Sequence, residues 1–133
     1  FTMAHCADSN ARAFAEASES MVWYPKRGAR MIADLADYAR SFREDLGTYH
    51  YTGELQQNAA SGALDQLAFD YIRDACAAMV GDPDRCIEIA KRYEAAGCDL
   101  LFCLVNPYKM THAQVMRSIE LLGRHVIPEL DRE

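Results

Sequence analysis

Apolar residues recur along most of this chain at steps of three and four, the spacing that puts them on one face of a helix. A first helix is predicted from Asp8 or Ser9, through Ala11, Ala13, Phe14, Ala15 and Ala17, towards Trp23, with Pro25 stopping it. A second spans roughly Lys26 to Leu46, with Ile32, Leu35, Ala39, Phe42 and Leu46 as its stripe, and Gly47 supplies the left-handed C-terminal cap. Gly47 to Gly62 is polar and turn-prone, the longest irregular candidate. A third helix, from about Ala63, carries Leu64, Leu67, Tyr71, Ile72 and Ala75, and leads into a brief apolar stretch, Ala77 to Val80, that reads as a short strand.

The pattern sharpens beyond that point. Gly81-Asp82-Pro83-Asp84 is a turn into a helix, with Asp82 as N-cap and Pro83 at the first helical position, where its missing N–H costs nothing. That helix carries Cys86, Ile87, Ala90 and Tyr93 and ends at Gly97. Leu100-Leu101-Phe102-Cys103-Leu104-Val105 follows, six apolar residues without alternation. Such a run predicts a strand buried on both faces, as in parallel sheets covered by helices. Asn106-Pro107 breaks it. Thr111 and Gln114 then have the spacing of a capping box, and Val115, Ile119, Leu122, Val126 and Leu130 line the last helix. Strand, helix, strand, helix in this order predicts an α/β fold, and no linker or repeat divides residues 1–133, which read as one unit.

Composition narrows the function. The chain has 133 residues, half of them hydrophobic and 26% charged, which suits one folded domain. Its net charge of -6 supplies no basic face for nucleic acid. The longest apolar run is far short of the ~20 residues a membrane span needs. Five cysteines without CxxC spacing, three of them among apolar residues, read as reduced thiols and point to the cytoplasm. No secretory signal is legible at the start. The chain opens into apparent structure at Phe1, which reads as a piece of something longer or as two added residues ahead of Met3.

Val80-Gly81-Asp82-Pro83-Asp84-Arg85, followed by Tyr93-Glu94-Ala95-Ala96-Gly97-Cys98-Asp99-Leu100-Leu101, resembles the C-terminal region of the luciferase-like monooxygenases. There a "VG-(D/T)-P" turn opens the seventh helix of a (β/α)8 barrel and an "AAG-x-D" turn enters the eighth strand. Phe1 to Ala7 is similar to that family's sixth strand, Phe69 to Asp74 to the segment ahead of the "VGDP" turn, and residues 116–122 with 126–130 to its final helix. A barrel of this type needs about 250 residues. The resemblance therefore implies a helix-rich partial (β/α)8 barrel, its last three β/α units. It implies a parent oxidoreductase that uses FMN or a deazaflavin and O2 to oxidise a small organic substrate. This piece by itself is expected to lack most of the cofactor site and its activity.

Within that frame Asn106 and Lys109 are the candidate cofactor contacts, at the strand end where barrel catalytic residues collect. Asn106 would meet a polar ring atom and Lys109 a phosphate; otherwise they end a strand and sit in solvent. His5 is a candidate to position substrate or relay a proton, or else packs in the core. Tyr49, His50 and Tyr51 are candidates for a lid over the active-site mouth, or for a plain surface loop. Trp23 and Tyr24 read as packing or interface residues rather than cofactor contacts. No metal site is expected: Cys98 and Cys103 lie in and beside an apolar strand, and His112 and His125 are too far apart. The competing reading is a non-catalytic α/β module acting through protein contacts. A truncated barrel exposes strand edges and apolar faces, so a homodimer or larger homo-oligomer is expected.

Overall fold

The computed structural model describes residues 1–40 and 65–131. The chain divides into two compact units, Phe1–Met21 with Phe69–Glu133, and Val22–Ala68. The first holds a small parallel sheet and the helices that cover it: β1 (Thr2–Cys6), the start of α1 (Asn10–Arg40), α2 (Phe69–Asp74), β2 (Met79–Gly81), α3 (Pro83–Ala95), β3 (Cys103–Leu104), α4 (His112–Leu121), a π-helical turn (Leu122–Val126) and α5 (Ile127–Leu130). The second contains the rest of α1, tied to the segment ahead of α2 by Lys26 Nζ on the Asp65 carbonyl and Arg30 on the Asp65 carboxylate.

An α/β fold with a parallel sheet is what the alternating pattern predicts, and that is the observed class. The strand order is β2-β1-β3, both pairings parallel, with Ala4, His5 and Cys6 opposite Met79, Val80 and Gly81, and Thr2 and Met3 opposite Cys103 and Leu104. Consecutive barrel units would lie side by side in chain order, with the second strand central. Here the connection out of β2 returns past β1, the order of a doubly wound open sheet.

Side chains of β1 alternate between two faces, as a strand's period of two requires. Ala4 and Cys6 join Met79, Cys86, Ile89, Ala90, Leu122 and Val126 in the hydrophobic core under α3 and the π-helical turn. His5 points the other way, towards α1 and α4. Every residue of β1 is buried.

The turn into α3 forms as its sequence predicts. Asp82 Oδ1 accepts from the Arg85 N–H at 3.0 Å, Pro83 takes the first helical position, and the Asp82 N–H is held by Asn10 Oδ1 at 3.0 Å. Gly81 must be glycine for space: a Cβ there would meet the Arg85 Cδ at 2.6 Å and Asn10 Oδ1 at 2.7 Å. The capping box of Thr111 and Gln114 is present in full.

Four expectations are corrected. Pro25 does not end a helix; α1 runs through it, so the two predicted helices are one. Proline in a helix interior removes one i→i−4 bond and crowds the preceding turn, at a cost of about 3 kcal/mol, and buried residues lie on both sides of it, Ala13, Ala17 and Met21 before and Ala29 after. The run Leu100–Val105 is not buried on both faces. Only Cys103 and Leu104 form strand, at the sheet edge, and Phe102 is 66% exposed. The buried stripe of the last helical segment is Ser118, Leu122 and Val126, while Ile119 is exposed: Ser118 faces the sheet because its hydroxyl accepts from the Cys6 N–H at 2.8 Å. The third helix is described only from Phe69, with Leu67 outside it. Residues 41–64, including the predicted C-terminal cap at Gly47 and the lid candidates Tyr49, His50 and Tyr51, lie outside the described residues.

Candidate functional site

The most concentrated polar chemistry in the first unit lies against the α1 face of β1. Helix α1 buries two small residues on this stretch, Ala13 and Ala17. Glu16 flanks that stripe and receives three hydrogen-bond donors. Its Oε2 is 2.8 Å from His5 Nε2 and also accepts from Arg117 Nη2 of α4; its Oε1 accepts from Arg12 Nε at 2.9 Å. Arg12 continues outward to Asp8 Oδ2 at 2.6 Å. Four charged side chains and one imidazole thus join β1, α1 and α4, running from a fully buried His5 through a 14% exposed Glu16 to the surface.

The electrostatics follow from that arrangement. Burial works to raise the Glu16 pKa, but hydrogen bonds from Arg12, His5 and Arg117 outweigh it and hold the carboxyl below its ordinary range. His5 is pushed down, chiefly by burial, which penalises the imidazolium more than Glu16 favours it. A neutral ring beside an ionised carboxylate must place its proton on Nε2, since the carboxylate only accepts. Nδ1 then carries the lone pair. His5 Nδ1, Ser20 Oγ and Arg117 Nε are buried without a hydrogen-bond partner. The cluster leaves His5 neutral, its proton on Nε2 towards Glu16 and a lone pair on Nδ1, the geometry by which a carboxylate orients a histidine.

The other candidates sit on the turn after β3. Asn106 Oδ1 accepts from the Met110 N–H at 3.3 Å, so it closes the turn 106–110, with Pro107 and Met110 buried. Lys109 takes a left-handed backbone conformation, φ 51°, uncommon for a side chain of its size. Its Nζ lies 4.9 Å from the centre of the Tyr108 ring, and the Tyr108 hydroxyl, then Glu19 of α1, favour its charged form. Helix α1 is thus the shared backdrop: Glu16 meets His5, and Glu19, three residues on, faces the charge of Lys109. Asn106 and Lys109 leave one exposed cation and one committed carbonyl oxygen. Neither residue lines the groove between α3 and α5.

Glu16, Arg12, Arg117 and Ser118 do not stand out in the sequence. The available signal was Arg12 and Glu16 at i,i+4 beside an alanine stripe, an acid placed where a helix turns towards its sheet. The arginine and serine of α4 carry no local mark, since their partners are 101 and 112 positions away.

All five cysteines are free thiols. Cys6 and Cys86 are buried together, and Cys86 is pushed up by its hydrogen bond with Cys6 and by burial, so it stays protonated. Cys103, expected in a buried strand, is exposed at the sheet edge. Among the described residues no group of three His, Cys, Asp or Glu is placed to hold a metal ion, and no helix is long and apolar enough to cross a membrane. Comparison with protein-family models, with curated proteins and with solved structures finds no match to this chain.

Proposed function

We propose that this chain is part of a flavin- or deazaflavin-dependent monooxygenase acting on a small organic substrate. In this reading it contributes a proton-holding histidine and a phosphate contact, while the cofactor ring is enclosed elsewhere. The observation that carries the proposal is the pairing of a fully buried His5 on the central strand with Glu16, whose carboxylate is held by two arginines. With its Nε2–H fixed on Glu16, His5 has Nδ1 as its basic atom, and because burial and the two arginines disfavour the imidazolium it takes a proton there only in passing. The cofactor, when bound, supplies the oxygen chemistry; His5 and Glu16 hold the proton, and Lys109 orients an anionic group. The resemblance over residues 69–130 supports the family. The strand order, with β1 central, gives that resemblance no support, so the parent assignment rests on the sequence motifs and the histidine.

A binding comparison tests it. FMN and a phosphate-bearing deazaflavin, each oxidised and reduced, are titrated into the chain by fluorescence, with riboflavin as the control that lacks phosphate. Saturable binding of a phosphate-bearing form, stronger than riboflavin and reduced to riboflavin's level in Lys109→Ala, is the expected result. Equal behaviour of FMN and riboflavin, or no binding of any form, removes the phosphate contact assigned to Lys109 and leaves this piece without a cofactor site of its own. The second reading, a non-catalytic interaction module, is favoured by a separate observation: Leu100, Phe102 and Phe1 are all more than 60% exposed.

A further inference from the structure

Among the described residues, two of the exposed apolar surfaces differ in shape and in charge. One is concave. Between the C-terminal half of α3, residues 98–101 and α5 lies a groove of about 390 Å³. Ala90, Leu100, Leu101, Ile127 and Leu130 form its apolar lining, with Leu100 71% exposed, while Glu94, Asp99 and Asp131 bring three acids to it. No lysine or arginine among the described residues lines it. The other surface is convex. In the second unit α1 carries Met31 and Leu35 one turn apart, 57% and 65% exposed, with Ile32 beside them and Arg27 one turn earlier on the same face. Soluble chains rarely leave such stripes bare without a partner. A ridge of Met and Leu headed by arginine matches a Leu- and Ile-lined trough that carries acids.

We propose that the groove binds the α1 ridge, residues 27–35, of a second copy of this chain. Met31 and Leu35 enter the trough beside Leu100 and Ile127, and Arg27 meets the acids. Ridge and groove are different surfaces, so the contact is heterologous: each copy offers one ridge and one groove, and association continues head to tail into rings or open chains. This inference is independent of the flavin reading, because neither surface includes His5, Glu16, Asn106 or Lys109.

Complementation between two blocked variants tests it. Sedimentation velocity over a concentration series should show the wild type growing beyond dimer, less so at high salt, because the arginine–acid attraction is screened. Leu35→Glu removes the ridge and Leu100→Glu closes the groove; each alone should weaken self-association by roughly tenfold or more, as loss of a central apolar anchor does. Mixed together, the two blocked variants still hold one good ridge and one good groove between them, and they should form a 1:1 dimer that grows no further. Both positions are exposed, and circular dichroism verifies folding; Met31→Glu or Ile127→Glu replaces either variant that fails it. A wild type that stays monomeric, a single variant that associates as well as wild type, or a mixture that forms no dimer each overturns the proposal. A symmetric dimer of Leu35→Glu alone would show groove-to-groove pairing instead and overturns it as well.

Discussion

Strands β1 and β3 are neighbours in one sheet, yet each has the environment its own sequence would have suggested for the other. Thr-Met-Ala-His-Cys, with two polar residues in five, is buried throughout. Leu-Leu-Phe-Cys-Leu-Val, entirely apolar, contributes two residues to the sheet edge and leaves Leu100 and Phe102 in solvent. The difference lies in position. A central strand has a partner on each side and helices over both faces, so even Thr2 and His5 are enclosed, and each must find a hydrogen bond: Thr2 Oγ1 lies 3.2 Å from the Tyr93 hydroxyl, and His5 reaches Glu16. An edge strand has one partner, and its apolar side chains remain available to another molecule.

The contrast can be broken most forcefully at its buried end. Met3→Ala in β1 should cost about 2–5 kcal/mol of stability, read as a shift of the urea midpoint, because a large buried side chain leaves a cavity beside a packed strand. A loss below 1 kcal/mol would mean that β1 is not the enclosed strand described above. Next in size, Ser118→Ala strands the buried Cys6 N–H and should cost about 1–3 kcal/mol, a penalty for the unmade bond that no loss of volume explains. Glu16→Gln keeps the shape but removes the charge that both arginines and His5 face, with a similar expected loss of about 1–3 kcal/mol.

The pH dependence sharpens the same region. Folded His5 titrates below its ordinary value and folded Glu16 below its own, so in both cases the unfolded chain binds protons first on acidification. Their contribution is complete above pH 6.5. It declines as pH falls through the His5 window below 6.5, and declines again below about 4.5 as Glu16 follows. One group contributes a slope of at most about 1.4 kcal/mol per pH unit. Chemical denaturation at pH 7.5, 6.0 and 5.0 should show this fall in the wild type and a flatter course in His5→Gln between 7.5 and 6.0; identical slopes would remove His5 as its source. The smallest effect belongs to the edge: Phe102→Ala should change stability by no more than about 0.5 kcal/mol, since the ring is exposed and its strand bond runs through the carbonyl that accepts from the Thr2 N–H. A larger loss would show that the apolar edge is covered in solution.

Local signals were readable where the physics is local. The Asp82-Pro83 start of α3 and the Thr111–Gln114 box satisfy N–H groups within three residues, so spacing alone reveals them. Helix α1 continues through Pro25 although an interior proline costs about 3 kcal/mol, with buried alanines and Met21 on either side of it to offset that local penalty. The last helix was placed correctly but rotated wrongly: hydrophobicity favoured Ile119 for the buried face, while a serine took it to satisfy the backbone of a distant strand. At the candidate site His5 was visible as an unusual residue on a short strand. Its partner was not, because an Arg–Glu pair four residues apart is the ordinary dress of a solvated helix.

By itself, then, the amino-acid sequence determined the alternation of helices with short strands and the two capped helix starts, since each depends on neighbours within a few positions; the need for glycine at residue 81 is partly tertiary, because Asn10 crowds it. Tertiary structure alone decided that β1 stands between β2 and β3, and everything that follows from that order. It made a histidine core and a leucine run surface, and it gathered Glu16, Arg117 and His5 into one hydrogen-bonded group across 112 residues of chain. Strand order is set by which pairings bury the most surface and leave the fewest backbone groups unmet, a sum over the whole fold that no single segment contains.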